Sequence, residues 1–336
     1  MLLTIRVDVQ HIRATMHRLA KTSLAVIFAT ASLNVLAASG AGVKLSQLQD
    51  RVKVEIDGQL FTEYYFADVP RPFCYPVMGP GEVAMTRNWP MKTVEGEERD
   101  HKHHRSLWFT HGAVNGHDFW SEEPKAGKIV HDKFLQVESG EDAGTLRTAN
   151  KWISAGGELI CTDERTLRFY RPGADSARVL DFQVTIKPAS GDLVFGDTKE
   201  GSMGIRLAET MRLKGKVGKG HIENSAGVKD NDTWGKRAEW CDYYGPAEGK
   251  LVGVAVFDHP SNPRHPTWWH VRDYGLFAAN PFGKHDFEKL SDKTAGDLKV
   301  PAGQSVTFKY RFVFHEGDTS SAKLPDKYQD YIKSVK

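Results

Sequence analysis

From Arg51 to Phe66 apolar and polar residues alternate on both sides of Asp57-Gly58. Alternation with a period of two marks a strand with one buried face. Asp-Gly tolerates the positive φ angles of a tight hairpin turn, so two antiparallel strands are predicted here. Pro70, Pro72, Pro76, Pro80 and Pro90 follow, a density that excludes a helix and predicts extended segments and turns. Strand patterns resume over 128–137, 145–153, 159–170 and 178–187, separated by Ser-Gly-Glu-Asp, Ala-Gly-Gly and Arg-Pro-Gly-Ala-Asp turns. Further strands are expected over 251–258, 275–279 and 305–315, and a short helix over 327–335. Strands at this spacing predict an all-β sandwich or barrel in place of alternating β and α units. There is no internal repeat and no linker-like change of composition, so residues 38–336 are read as one β-sandwich domain.

The first 37 residues stand apart. Arg6, Arg13, Arg18 and Lys21 precede an apolar run from Ser23 to Leu36, and small residues close it. That is the anatomy of a signal peptide, with Met16 as an alternative start. The apolar run is shorter than the roughly 20 residues that span a bilayer. A periplasmic or secreted protein is therefore expected. Without the leader the chain carries 41 Lys and Arg against 42 Asp and Glu. That balance argues against a nucleic-acid partner, and no later stretch is apolar enough to be a membrane span. Cys74, Cys161 and Cys241 are scattered, which leaves room for at most one disulfide and no CxxC zinc site.

The candidate chemistry is concentrated. Five of the chain's 14 histidines fall between His101 and His117, and histidine is both the side chain that titrates nearest neutrality and the commonest metal ligand. Read as a strand, 101–111 puts His101, His103, Arg105 and His111 on one face and His104 on the other. His101 and His103 would then be about 6.6 Å apart, close enough to share a metal. His103 and His111 would be about 26 Å apart, and only one face could line a site. The competing reading has these residues satisfying a sheet edge.

Other polar groups are candidates to meet this stretch. Glu164 lies in an apolar strand, where a solvated face and an Arg168 partner are the plain alternative. Glu200 and Arg206 belong to a glycine-punctuated segment that fits no phosphate-binding fingerprint. The segment 258–275 combines three prolines with Trp268, Trp269 and His270, as the lining of a cavity for a polar ring would. A packed proline-rich crossover is the alternative there. His285 follows Asn280-Pro281 in a third candidate segment.

Tyr75-Pro76, His103-His104-Arg105-Ser106-Leu107-Trp108-Phe109, His111-Gly112, Asn115-Gly116, Asp118-Phe119-Trp120, Glu164-Arg165 and Asn280-Pro281 together resemble a bacterial family of unknown function commonly labelled methane-oxygenase-like. The resemblance runs over roughly residues 70–315. That family is similar to galactose-mutarotase-type β-supersandwich proteins, a fold shared by epimerases, polysaccharide lyases and other sugar-acting proteins. The segment from Val300 to Phe314 resembles the final strand of such domains. The resemblance implies an antiparallel supersandwich acting on a carbohydrate or sugar-derived small molecule.

The leading expectation is acid–base catalysis on a sugar without a required cofactor. His103 or His104 would work with Glu164 or Glu200, and His270 would be a second acid or base. Arg105, His111, Asn115, Arg206, Trp268 and His285 are the substrate-binding candidates. The alternatives are a hydrolase or lyase using a divalent metal on His101 and His103, and a non-catalytic carbohydrate-binding module.

Overall fold

The computed structural model describes residues 40–334; the expected leader lies outside them. The alternating segment near the start forms the predicted hairpin, with Asp57 and Gly58 at φ +51° and +80°. In chain order the first strands are β1 (Val43–Gln47), β2 (Arg51–Ile56), β3 (Gln59–Tyr65), β4 (Phe73–Val77) and β5 (Leu107–His111). Four long strands follow: β6 (Lys128–Glu138), β7 (Ala143–Ile153), β8 (Leu159–Tyr170) and β9 (Arg178–Pro188). Shorter elements come next, β10 (Leu193–Phe195), β11 (Gly201–Arg206) and β12 (His221–Asn224), then β13 (Trp240–Ala247) and β14 (Lys250–Asp258). The chain ends with β15 (Trp268–Val271), β16 (Leu276–Asn280), helix α1 (Lys284–Glu288), β17 (Leu298–Val300), β18 (Val306–Glu316) and helix α2 (Leu324–Ser334).

Two eight-stranded antiparallel sheets form, in the orders β1-β2-β3-β4-β5-β11-β16-β15 and β12-β13-β14-β18-β9-β8-β7-β6, with β10 and β17 as a separate ribbon. Their inner faces share one core. Phe61 of β3 packs edge-on against Phe169 of β8 and Phe314 of β18, at 5.8 and 5.6 Å between ring centroids. This is the expected all-β supersandwich with a short C-terminal helix. Helix α2 lies against the second sheet through Leu324, Tyr328 and Tyr331, a stripe with helical spacing that meets Phe257. All three cysteines are buried and free.

The strand alternation decides which face each residue takes. Along β8 the residues Asp163, Arg165, Leu167 and Phe169 point inward, so Glu164 points to solvent. There it meets Arg147 across the sheet at 3.4 Å. Glu164 therefore sits on the solvated face, away from the cavity described below. The inward charges make a clamp between the sheets. Asp163 accepts hydrogen bonds from Trp152 Nε1 (2.7 Å), Asn150 Nδ2 (2.6 Å) and Arg165. The Arg165 guanidinium in turn reaches the carbonyls of Pro72 and Phe109 in the first sheet.

Replacing Asp163 with Ala strands a fully buried guanidinium, for which a loss of about 3–5 kcal/mol is expected. Urea unfolding at pH 7 measures it, and a loss below about 1 kcal/mol, the worth of a surface pair, would show that the clamp is not needed.

Candidate functional site

The first sheet has a second apolar cluster on the face turned away from the core: Phe73 of β4, Trp108 of β5, Leu276 of β16 and Trp120. Alternation places it there, since Leu107, Phe109, Met203, Ile205 and Phe277 all face the inner core. Gly204 of β11 is what lets the Trp108 indole lie across the sheet, because a Cβ at 204 would come within 2.9 Å of Trp108 Cζ2. The His104 ring stacks on that indole at 5.4 Å and 19°. His101 is parallel to His104 at 4.7 Å and 5°, and Tyr274 is parallel to His101 at 5.1 Å and 5°. Four near-parallel rings thus rise from the sheet into a cavity of about 690 Å³.

The predicted continuous strand over 101–111 is not formed. His101 and Ser106 adopt φ of +39° and +57°, and local bonds close the segment, His104 N–H to the His101 carbonyl and Ser106 N–H to the His104 carbonyl. Pairing with β4 and β11 begins only at Leu107. The turn gathers what a strand would have kept on opposite faces: His101, His103 and His104 all line the cavity, with ring centroids 4.5–5.7 Å apart. The expectation that only one face could line the site is corrected accordingly.

Buried arginines hold this turn. Arg206 projects from β11 and donates from Nη1 to His104 Nδ1 (2.9 Å) and from Nη2 to both Asp100 oxygens (2.9 and 3.1 Å). Arg87 also pairs with Asp100. Arg71 donates to the His103 carbonyl at 3.0 Å and to the carbonyls of Phe119, Trp120 and Ser121, tying both cavity walls together. Burial would raise the Asp100 carboxyl, yet the His101 hydrogen bond and the Arg206 and Arg87 charges hold it well below the usual carboxylate range.

These contacts fix two tautomers. Asp100 is ionised and can only accept, so the 2.8 Å contact with His101 places a proton on His101 Nδ1. Arg206 can only donate, so His104 Nδ1 is the acceptor and the proton sits on Nε2. Burial, then the Arg206 charge, push His104 far below its ordinary value, which keeps it neutral. Two parallel imidazoles therefore differ at Nδ1, which donates in His101 and accepts in His104.

The remaining lining comes from the 112–121 segment, from Lys199 and Glu200 before β11, and from β15 and its turn. Gly112 allows a close approach, since a Cβ there would lie 2.8 Å from Glu200 Cβ. Glu200 lies 3.5 Å from Lys199 Nζ. Asp118 accepts from the N–H groups of Trp120 and Ser121 and from the Ser121 hydroxyl. His270 is 2% exposed and its Nδ1 has no hydrogen-bond partner. Burial, with Arg272 and Lys199 nearby, lowers His270 to about 3, and burial with Arg71 lowers His103 to about 4.

Of the expected site residues, His101, His103, His104, Glu200 and His270 come together in the cavity, and Arg206 stands directly behind it. The others do not line it. Arg105 pairs with Glu122 at 2.7 and 2.8 Å, and His111 is buried with Nε2 on the Gly196 carbonyl. Asn115 shapes a turn by accepting from Val194 N–H. Trp268 is buried, donating to Glu288 beneath the Arg237 guanidinium, and His285 meets Asp197 at 2.8 Å. The flat walls are Trp120 and Tyr274 instead. Asp118-Phe119-Trp120 is among the motifs of the resemblance and Tyr274 lies within the 258–275 candidate segment, though Trp268 was the ring expected there; Arg71 and Arg87 carry no local sequence signal.

Among the described residues no group of three or more His, Cys, Asp or Glu is arranged to hold a metal ion. The third imidazole, His104, already has a guanidinium on Nδ1, a cation that opposes a second one beside it. No helix among the described residues is long and apolar enough to cross a membrane.

A family model matches residues 51–329, and the chain belongs to that family, a family of unknown function (DUF6807). No curated protein matches it. Solved structures similar to it include the GH36 α-galactosidase AgaA of Geobacillus stearothermophilus, at 10% identity and TM-score 0.43 over 83% of this chain. A Glycoside Hydrolase Family 97 enzyme of Pseudoalteromonas sp. strain K8, in complex with acarbose, is similar at 9% identity and TM-score 0.32 over 81%. A galactose mutarotase related enzyme of Lactobacillus acidophilus is similar at 10% identity and TM-score 0.27 over 82%. The match spans 41% of the α-galactosidase and 33% of the family 97 enzyme, against 97% of the mutarotase-related chain.

A folded His270 stays neutral down to about pH 3, whereas an unfolded one takes up its proton near its ordinary 6.5. The unfolded state then binds more protons, so stability falls as pH drops through that window. Wild type is expected to lose about 2–3 kcal/mol through this group between pH 7 and 4.5, and His270→Phe to lose correspondingly less. Urea midpoints at the two pH values measure it; equal losses would refute the assignment.

Proposed function

We propose that this member of the family is an exported carbohydrate-active enzyme that moves a proton on a sugar or sugar-derived substrate, as an isomerase, epimerase or lyase. The observation that supports it is the stacked His101–His104 pair, two parallel imidazoles in one cavity whose Nδ1 atoms meet opposite partners, a carboxylate and a guanidinium. The cavity volume, about 690 Å³, lies in the range for a small-molecule site.

In this reading His101 Nε2 takes the proton, and Asp100 stabilises the imidazolium that forms. His104 Nε2–H donates to the oxygen on which negative charge develops. Arg206 fixes the His104 tautomer and its orientation, so it is a positioning residue. Glu200, at the rim, is the carboxylate that returns or relays a proton. Tyr274 and Trp120 provide the flat walls against which a sugar ring lies.

Sugars incubated in D₂O and followed by NMR test this directly, since proton abstraction appears as deuterium uptake, epimerisation or a new double bond. Wild type is expected to convert a member of the panel, and His101→Ala to lower kcat by about 10²–10⁴-fold. Arg206→Met is expected to lower kcat more than it raises KM. Binding of sugars with no turnover by any variant would instead make the chain a carbohydrate-binding module. Activity lost on chelation and restored by a divalent ion would make it a metal-dependent enzyme.

Export rests on the basic and apolar pattern of residues 1–37. Intact mass of the protein from the periplasm or medium is expected to show a chain beginning near residue 38. A full-length chain confined to the cytoplasm would overturn export.

A further inference from the structure

The arginines around the cavity are paired with carboxylates, with one exception. Arg87 and Arg206 share Asp100, Arg71 and Arg105 share Glu122, and Arg212 meets Glu98 and Glu209. Arg272 lines the cavity and has neither a carboxylate nor a hydrogen-bond partner for its guanidinium among the described residues. Its neighbour Asp273 is held by Lys214 at 3.1 Å. The guanidinium rests against two aromatic rings, Trp234 at 5.7 Å and Tyr274 at 5.6 Å. Such contacts hold the cation in place through its face and leave its N–H edges unused.

The second observation is His270, which lines the same cavity, is 2% exposed and makes no hydrogen bond through either ring nitrogen among the described residues. A buried polar atom without a partner is costly, and a bound ligand is one way such a group is satisfied. The other cavity charges are already engaged. Lys199 faces Glu200, and Asp118 is capped by two N–H groups and a hydroxyl.

We propose that the cavity selects an acidic sugar, a uronate or aldonate, whose carboxylate docks on Arg272 and accepts a further hydrogen bond from His270. This rests on the sugar reading and adds the substrate class to it. One unpaired guanidinium matches one carboxylate in charge and in its two-pronged geometry. A phosphate dianion would need a second free cation, and Lys199 is shared with Glu200. A neutral sugar would leave the guanidinium without a counter-charge.

Calorimetric titration of the full mature chain with glucuronate, galacturonate, glucose, galactose and glucose 6-phosphate tests it. An acidic sugar is expected to bind about ten- to a hundredfold more tightly than its neutral counterpart. In Arg272→Gln that ratio is expected to fall close to one, and Arg272→Lys to recover part of it. Should the variants fail to fold, the wild-type preference is expected to shrink as salt rises from about 0.05 to 0.5 M, and a salt-independent preference would overturn the proposal. Equal binding of acidic and neutral sugars, or a preference that survives Arg272→Gln, overturns the proposal and leaves the sugar reading standing. Tighter binding of the phosphate overturns the carboxylate assignment. If no sugar of any kind binds, the sugar reading fails and this proposal with it.

Discussion

The cavity depends on one ion network, Arg206 with Asp100 and His104. Arg206 is fully buried on the outer face of β11, where a lone guanidinium would be prohibitive. Burial lowers it to about 10, so it keeps its proton at neutral pH. Its charge is balanced by Asp100, which also takes Arg87, and its remaining donor capacity fixes His104. Because Asp100 and His104 lie on either side of His101, satisfying Arg206 folds the 100–106 segment back on itself. The turn is the consequence of a buried charge, and the histidine cluster is the consequence of the turn.

The ring stack extends that constraint outward. Gly204 admits the Trp108 indole, the indole supports His104, and His104 supports His101 and Tyr274. Each ring is buried on one side by the ring before it, so imidazoles that would ordinarily be solvated become parts of a wall. That burial helps to hold His104 as a neutral ring. Arg71, placed on the opposite side, anchors the 119–121 segment and the His103 carbonyl, so both walls are referred to buried guanidiniums.

The long strands were legible because each has one face in the core. Leu159–Tyr170 was read to the residue, and the Asp57-Gly58 hairpin formed as its turn chemistry demanded. Strands β11, β15 and β16 are buried on both faces, so their patterns do not alternate; β11 and β15 were not read as strands, and β16 was placed only within one residue. The 101–106 segment was misread for a different reason. His101, His103 and Arg105 alternate with Lys102, His104 and Ser106 as a strand would, but all are polar, so the pattern carries no information about which side is buried. The deciding term was Arg206, a hundred residues away, whose pairing cannot be inferred from local periodicity. Glu164 shows the converse: its strand was correctly placed, and the same alternation that identified the strand put the carboxylate on the solvent side.

Two stacked imidazoles of opposite tautomer cannot be produced by burial alone, since burial makes a histidine neutral without choosing which nitrogen keeps the proton. The choice needs one partner that only accepts and another that only donates. Asp100 is the first because three donors keep it ionised; Arg206 is the second because a guanidinium has no lone pair to offer. Arg206 bonds to both Asp100 and His104, so the two tautomers are set by one linked unit and not by independent choices. A change at Asp100 therefore reaches His104 through Arg206, and a change at Arg206 reaches His101 through Asp100. The His101 and His104 rings of this cavity are oriented by a single electrostatic unit built on one residue of β11.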